Sequence, residues 1–269
     1  MTTLNPIPAR AVLQRIAFHS KPFAGLPVVR TFPHPAPTWA LRAKDGEPAD
    51  LELLTLSVSP KDDPSARTEL HAWVVDSASP ETPPITVILN GAQVVWRPGR
   101  ASILATPEKL DSLWNALIEF AHYAGELRQL ESEIEIGWPE LEADTPLAND
   151  VTLADLANRE GYGQRMDRTL KRRIRFARME TALYHPTPSL GAAGVELGQR
   201  LREKANLESR METCDGHLEI YEYVYEMGSQ RMGEFQAARK EQKLEWLIIV
   251  LLAIEVVILI LELLWKLEV

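Results

Sequence analysis

Half of the fourteen residues from 165 to 178 are basic: Arg165, Arg168, Lys171, Arg172, Arg173, Arg175 and Arg178, against the single acid Asp167. Cations at this density can bind phosphate through a charge term that ignores base sequence. Met166, Leu170, Ile174 and Ala177, spaced 4, 4 and 3, mark one side of a helix, so the segment reads as a basic amphipathic helix. Three partners suit it. They are the phosphates of RNA or of a ribosome, the headgroups of anionic lipid, and carboxylates of the chain itself. The last would come from the acidic stretch 126–160, which holds Glu131, Glu133, Glu135, Glu140, Glu142 and Asp144.

No other cluster promises chemistry. A glycine-rich phosphate loop, a Cys-x-x-Cys pair and a His-Glu-x-x-His helix are all missing from the sequence. His19, His34, His71, His122, His185 and His217 each lack a neighbour at ligand spacing, so each reads as a surface or core histidine. Glu131, Glu133 and Glu135 could offer hard-metal oxygens, but a solvated helix end explains them better. The one cysteine, Cys214, excludes an internal disulfide framework and suits a reducing compartment. The expectation is a non-enzymatic chain with no cofactor, no metal and no evident small-molecule substrate.

The elements that would position these residues fall in two halves. Residues 51–58 and 70–75 are apolar-rich and read as strands. The runs 85–89 and 92–96 flank Asn90-Gly91, the signature of a two-residue hairpin of type I′, whose central residues both need positive φ. Thr106-Pro107-Glu108 then offers a cap, a first-turn proline and an acid at the positive helix end. The helical stripe that follows, from Leu110 to Leu130, continues to about Glu135, with a loop at Pro139 and Pro146. A second helical zone runs from about 153 to 184 and ends at Pro186 and Pro188.

From about Val195 no proline occurs. Leu207, Met211, Cys214, Leu218, Tyr221, Tyr225, Gly228, Met232, Phe235, Arg239, Gln242 and Trp246 alternate 4 and 3 apart, a heptad seam. One long helix or a helical hairpin is expected, packed either against the chain's own helices or as a homo-oligomeric stalk.

The formal charge of −9 is unevenly spread. Residues 1–44 carry six bases and no acid, hence +6; the rest holds 29 − 6 = 23 bases against 38 acids, hence −15. An acid-free, arginine-bearing start suits a mitochondrial presequence. Seven prolines between Pro6 and Pro37 would break such a helix, so a proline-rich start of a β-domain is the better reading.

Residues 247–264 are apolar except for Glu255 and Glu262, with Trp246 and Trp265 at the ends. The 19 steps between the tryptophans cover roughly 28 Å as a helix, close to a bilayer's hydrocarbon thickness. The tryptophans would suit its interfaces. The segment reads as a single C-terminal transmembrane anchor, with a buried core helix or coiled-coil seam as alternatives. Arg231, Arg239, Lys240 and Lys243 precede it and only Lys266 follows, which keeps the N-terminal side in the cytoplasm or an organelle matrix. Glu255 and Glu262, seven residues apart, share a helix face and suggest a contact between helices.

The terminal run Lys243-Leu-Glu-Trp246-Leu-Ile-Ile-Val-Leu-Leu-Ala-Ile-Glu255-Val resembles the ending of the Required for Meiotic Nuclear Division family, which closes with Leu-Glu-Trp, an isoleucine-rich run and Ile-Glu-Val. Ile88-Leu-Asn-Gly-Ala-Gln-Val-Val-Trp96 is similar to that family's hairpin, and the helix after it and the helical stretch 206–224 follow in the family's order. The resemblance implies a bacterial or mitochondrial protein of the inner membrane that forms oligomers, supports translation near the ribosome and has no established enzymatic activity.

Together these readings predict an α+β chain: a β-rich domain over 1–105, a helical domain over 106–194, a helical stalk over 195–245 and a membrane span over 246–265. The expected role is a tail-anchored, self-associating scaffold, with a membrane-tethered RNA- or ribosome-binding module as the alternative.

Overall fold

The computed structural model describes residues 10–267 except 24, 45, 59–62, 77–81 and 185–189, and side chains up to residue 260. The expected helix ends at Pro186 and Pro188 lie outside the described residues. The chain divides into two compact units, residues 1–136 with 171–218 and residues 137–170 with 219–269.

The first unit is built on a seven-stranded sheet. Its strands are β1 (Val12–His19), β2 (Val28–Phe32), β3 (Thr38–Arg42), β4 (Leu51–Ser57), β5 (Ile85–Leu89), β6 (Ala92–Arg97) and β7 (Arg100–Ala105), in the order β2-β3-β1-β4-β7-β6-β5. Among these described strands only β4 and β7 pair in parallel. The acid-free N-terminal stretch therefore supplies three strands of the sheet, with β1 between β3 and β4.

The segment expected as a strand at 70–75 is instead the end of helix α1 (Pro64–Val75). Its local signals are helical. The Asp63 carboxylate accepts the Ala66 N–H at 3.0 Å, Pro64 fills the first turn, and the buried Ala66, Leu70, Trp73 and Val74 recur at 4, 3 and 1. They pack on Leu54, Leu56, Val95 and Leu104, one face of the sheet. At the far end Arg97 donates to the Val75 carbonyl at 3.0 Å, and the Arg100 guanidinium lies 5.0 Å from the Trp73 ring centroid. Cations there favour the negative helix terminus.

The other face is covered by α2 (Pro107–Asp144): Phe120 meets Trp96 edge-on at 4.8 Å, and the Trp114 indole N–H donates to the Gln14 amide oxygen. With both faces covered, β6 is buried along its whole length, which is why its sequence lacks alternation. The β5–β6 hairpin joins Leu89 to Ala92 in register as expected. Its turn is not type I′, because Gly91 has φ +73° while Asn90 is not among the residues with positive φ. Those are the φ signs of a type II turn.

Helix α2 does not stop near Glu135 but runs through Pro139 to Asp144. The missing proline N–H removes the helical bond to the Glu135 carbonyl, at a position where both residues are exposed to water. Leu141 is buried and Trp138 rests against Tyr221 at 5.7 Å, so packing holds the helix past its breaker. A short 3-10 turn over 145–148, α3 (Leu153–Ala157) and α4 (Arg159–Tyr184) follow.

The last stretch is two helices, α5 (Gly191–Lys204) and α6 (Leu207–Leu267). They break at Asn206, whose φ of 52° lies in the left-handed region that Asn tolerates. On α6 the heptad positions Leu207, Met211, Cys214, Leu218, Tyr221, Tyr225 and Met232 are buried within their own chain. Gly228 is there for closeness, since a Cβ would overlap the Tyr162 hydroxyl.

The membrane anchor is overturned. Among the described residues no helix is long and apolar enough to cross a membrane. The apolar stretch that starts at Leu247 is not free of charge. Glu255 interrupts it, and Lys243 and Glu245 stand just before it. The C-terminal transmembrane segment, the tail-anchored topology, the inner-membrane location and the role of Trp246 as an interface anchor fall with it. The side chains of Glu262 and Trp265 lie outside the described residues.

Candidate functional site

The apolar row of the basic helix faces outward. Met166, Leu170, Ile174 and Ala177 face solvent, whereas Tyr162, Thr169, Phe176, Met179 and Leu183 are the buried positions of α4. The arginines beside them are spent on carboxylates. In the first unit Arg175 donates to Glu126 at 2.8 and 3.0 Å and to Glu133 at 2.8 Å. Arg173 pairs with Asp215 and Arg172 approaches Glu133 at 3.9 Å. Arg178 donates to the Pro35 carbonyl at 3.4 Å. Burial pulls the Arg175 pKa down, but Glu126 and Glu133 together outweigh it and hold the guanidinium above its ordinary value.

In the second unit Arg165 grips Asp144, with Nη2 donating to Oδ1 at 3.1 Å. Its Nε lies 2.6 Å from Oδ2, an ion pair off the hydrogen-bond axis. Arg168 donates to both Glu140 oxygens at 2.9 Å; both partners are about half exposed, so that pair adds little. Lys171 also interacts within the fold. Arg165, Arg168, Arg172 and Arg175 thus meet the acidic stretch, whereas Arg173 and Arg178 meet Asp215 and the Pro35 carbonyl outside it. An RNA phosphate or lipid headgroup would compete with these carboxylates at Arg165, Arg173 and Arg175.

One cleft, of about 310 Å³, lies at an end of the sheet and is lined by Phe18, Asp50, Trp96, His122, Arg128 and Gln129 among others. Its polar groups are mostly committed already. Asp50 accepts the Phe18 N–H at 2.6 Å, Gln129 donates to Glu133 at 3.0 Å, and His122 Nε2 lies 3.3 Å from the His34 carbonyl. His122 is a core histidine, stacked on Phe32 at 4.3 Å and flanked by Phe18 and Tyr123. Burial pulls its pKa below 6.5, against the opposing pull of Glu126, the His34 carbonyl and Glu119. Cys214 is buried, and desolvation with Glu131 and Asp215 nearby pushes its thiol up to about 12, which keeps it protonated. Among the described residues no group of three or more His, Cys, Asp or Glu side chains could hold a metal ion.

The feature left without a partner is apolar. Between residues 244 and 260 of α6, fourteen large hydrophobic side chains are each 50–62% exposed, on every side of the helix. The sequence had marked this run, but hydropathy alone could not distinguish a lipid-facing span from a surface awaiting protein. Against known protein families and curated proteins, the chain matches no family model and no curated sequence.

Proposed function

We propose that this chain is a non-enzymatic scaffold that self-associates through the apolar segment of α6, residues 244–260. The observation that carries the reading is the set of fourteen half-exposed hydrophobic side chains on one uninterrupted helix. A helix that is apolar all round is stable only when buried, and ordinary monomers avoid contiguous exposed patches of this kind. Fully burying one Val, Leu or Ile is worth roughly 1.5–3 kcal/mol, so the exposed half of each offers about 1 kcal/mol. If two copies each cover half of their fourteen, the gain is roughly 14 kcal/mol, against a cost of association of roughly 4–15 kcal/mol. A pair therefore sits near the margin, and a bundle of three or more copies gains further. The resemblance of residues 243–256 to a family whose members act as oligomers points the same way.

The test is light scattering of the full chain in aqueous buffer over a range of concentrations. A discrete multiple of 30.3 kDa is expected. A mass that stays at one chain throughout, or ill-defined aggregation without a discrete species, would sink the proposal.

A further inference from the structure

The self-association reading does not say which side of α6 meets the other copy, and the helix geometry decides it. From Tyr221 the buried seam runs through Tyr225, Gly228 and Met232. The same alternation of 4 and 3 continues without a slip through Phe235, Arg239, Gln242, Trp246, Ile249, Ala253, Val256 and Ile260. At about 100° per residue, the last five fall within an arc of roughly 80°. Glu255 lies about 140° from the centre of that arc. Its own row, Ile248, Leu251, Glu255 and Ile258, occupies the opposite side. All these positions are solvent-exposed, so either side is open to a partner.

We infer that a second copy of this chain docks on the row Trp246, Ile249, Ala253, Val256 and Ile260, with Glu255 left in water on the outer side. Three observations support that occupant and that face. The row is continuous with a seam already buried in the fold. It carries no charge from Trp246 to Ile260, whereas the opposite row holds the one carboxylate of the described apolar run. Ala253 at its middle is the smallest side chain of the run, which lets two backbones approach most closely. A carboxylate drawn into a dry contact would lose its hydration without a cationic partner, since no Lys or Arg stands between Trp246 and Ile260. The shared Glu255/Glu262 face expected from the sequence drew its force from a bilayer, where the carboxyl had no water to turn to.

This assignment rests on the self-association reading, and the variants separate the two. Ala253→Glu and Glu255→Lys both alter exposed positions outside the packed core, so near-UV circular dichroism from the buried aromatic residues should match the unmodified chain. Light scattering of the full chain should show Ala253→Glu raising the dissociation constant about a hundredfold or more. Glu255→Lys should leave it within about twofold. Dissociation by Glu255→Lys with Ala253→Glu still assembled overturns the face and leaves self-association standing. Equal behaviour of the two variants, assembled or not, overturns the face as well. An unmodified chain that is monomeric removes both readings.

Discussion

His122 shows how a residue's surroundings decide its chemistry. Its ring is stacked among Phe18, Phe32 and Tyr123, and burial holds its pKa below 6.5. Below about pH 6.5 the unfolded chain binds a proton that the folded chain refuses. Unfolding then takes up a proton, so stability is at its full value above 6.5 and falls as pH drops toward the depressed folded value. The slope from this group is at most about 1.4 kcal/mol per pH unit. Urea unfolding between about pH 7.5 and 5.5 should show the fall, and His122→Phe should flatten it. An unchanged slope in the variant would assign the acid sensitivity elsewhere. The sequence could list six histidines; which of them sits among aromatic rings depends on strands and helix residues about 90–100 positions apart.

Among the helices, close approach and charge pairing set the arrangement. The Tyr162 hydroxyl lies 3.1 and 3.0 Å from the Val224 and Tyr225 carbonyls of α6, and Gly228 leaves it room. Gly228→Ala should therefore cost about 1–3 kcal/mol despite its better helix propensity, because the added methyl forces the tyrosine or the helix aside. Chemical denaturation measures it, and a neutral or stabilising result would refute the close-contact account. Helix α4 makes the complementary point. Its existence was legible from spacing and charge, but its orientation was not. Four apolar residues marked one side of it, and the arginines on the other side meet carboxylates on α2 and α6. The side that turns inward carries a second row, Tyr162, Thr169, Phe176, Met179 and Leu183, with the paired arginines at its flanks. Helix α1 was missed for a related reason: Trp73-Val74-Val75 has strand-like composition, and the cap at Asp63 with its 4, 3 spacing outweighed it.

At the scale of the whole molecule, the exposed apolar length of α6 is the feature that asks for a partner. If copies assemble through it, folding and association share one free energy. The thermal midpoint should then rise with protein concentration. Scanning calorimetry over a hundredfold range of concentration checks this, and a concentration-independent midpoint would count against assembly through 244–260. The acidic balance of the chain outside its first 44 residues adds no attraction for nucleic acid, in keeping with arginines that are already paired.

The sequence by itself determined what is local. The β5–β6 hairpin, the start of α2 at Thr106-Pro107, the helical zone of α4 and the unbroken 4/3 seam of α6 each rest on signals a few residues long. Only the tertiary structure decided the turn type at Asn90-Gly91, the passage of α2 through Pro139, the inward face of α4 and the partners of its arginines. Those depend on which surfaces are covered from both sides and which charges meet across twenty to fifty residues of chain, quantities that no local window contains. The apolar tail shows the boundary most clearly: its hydropathy was plain from the sequence, yet its exposure on every side belongs to the fold.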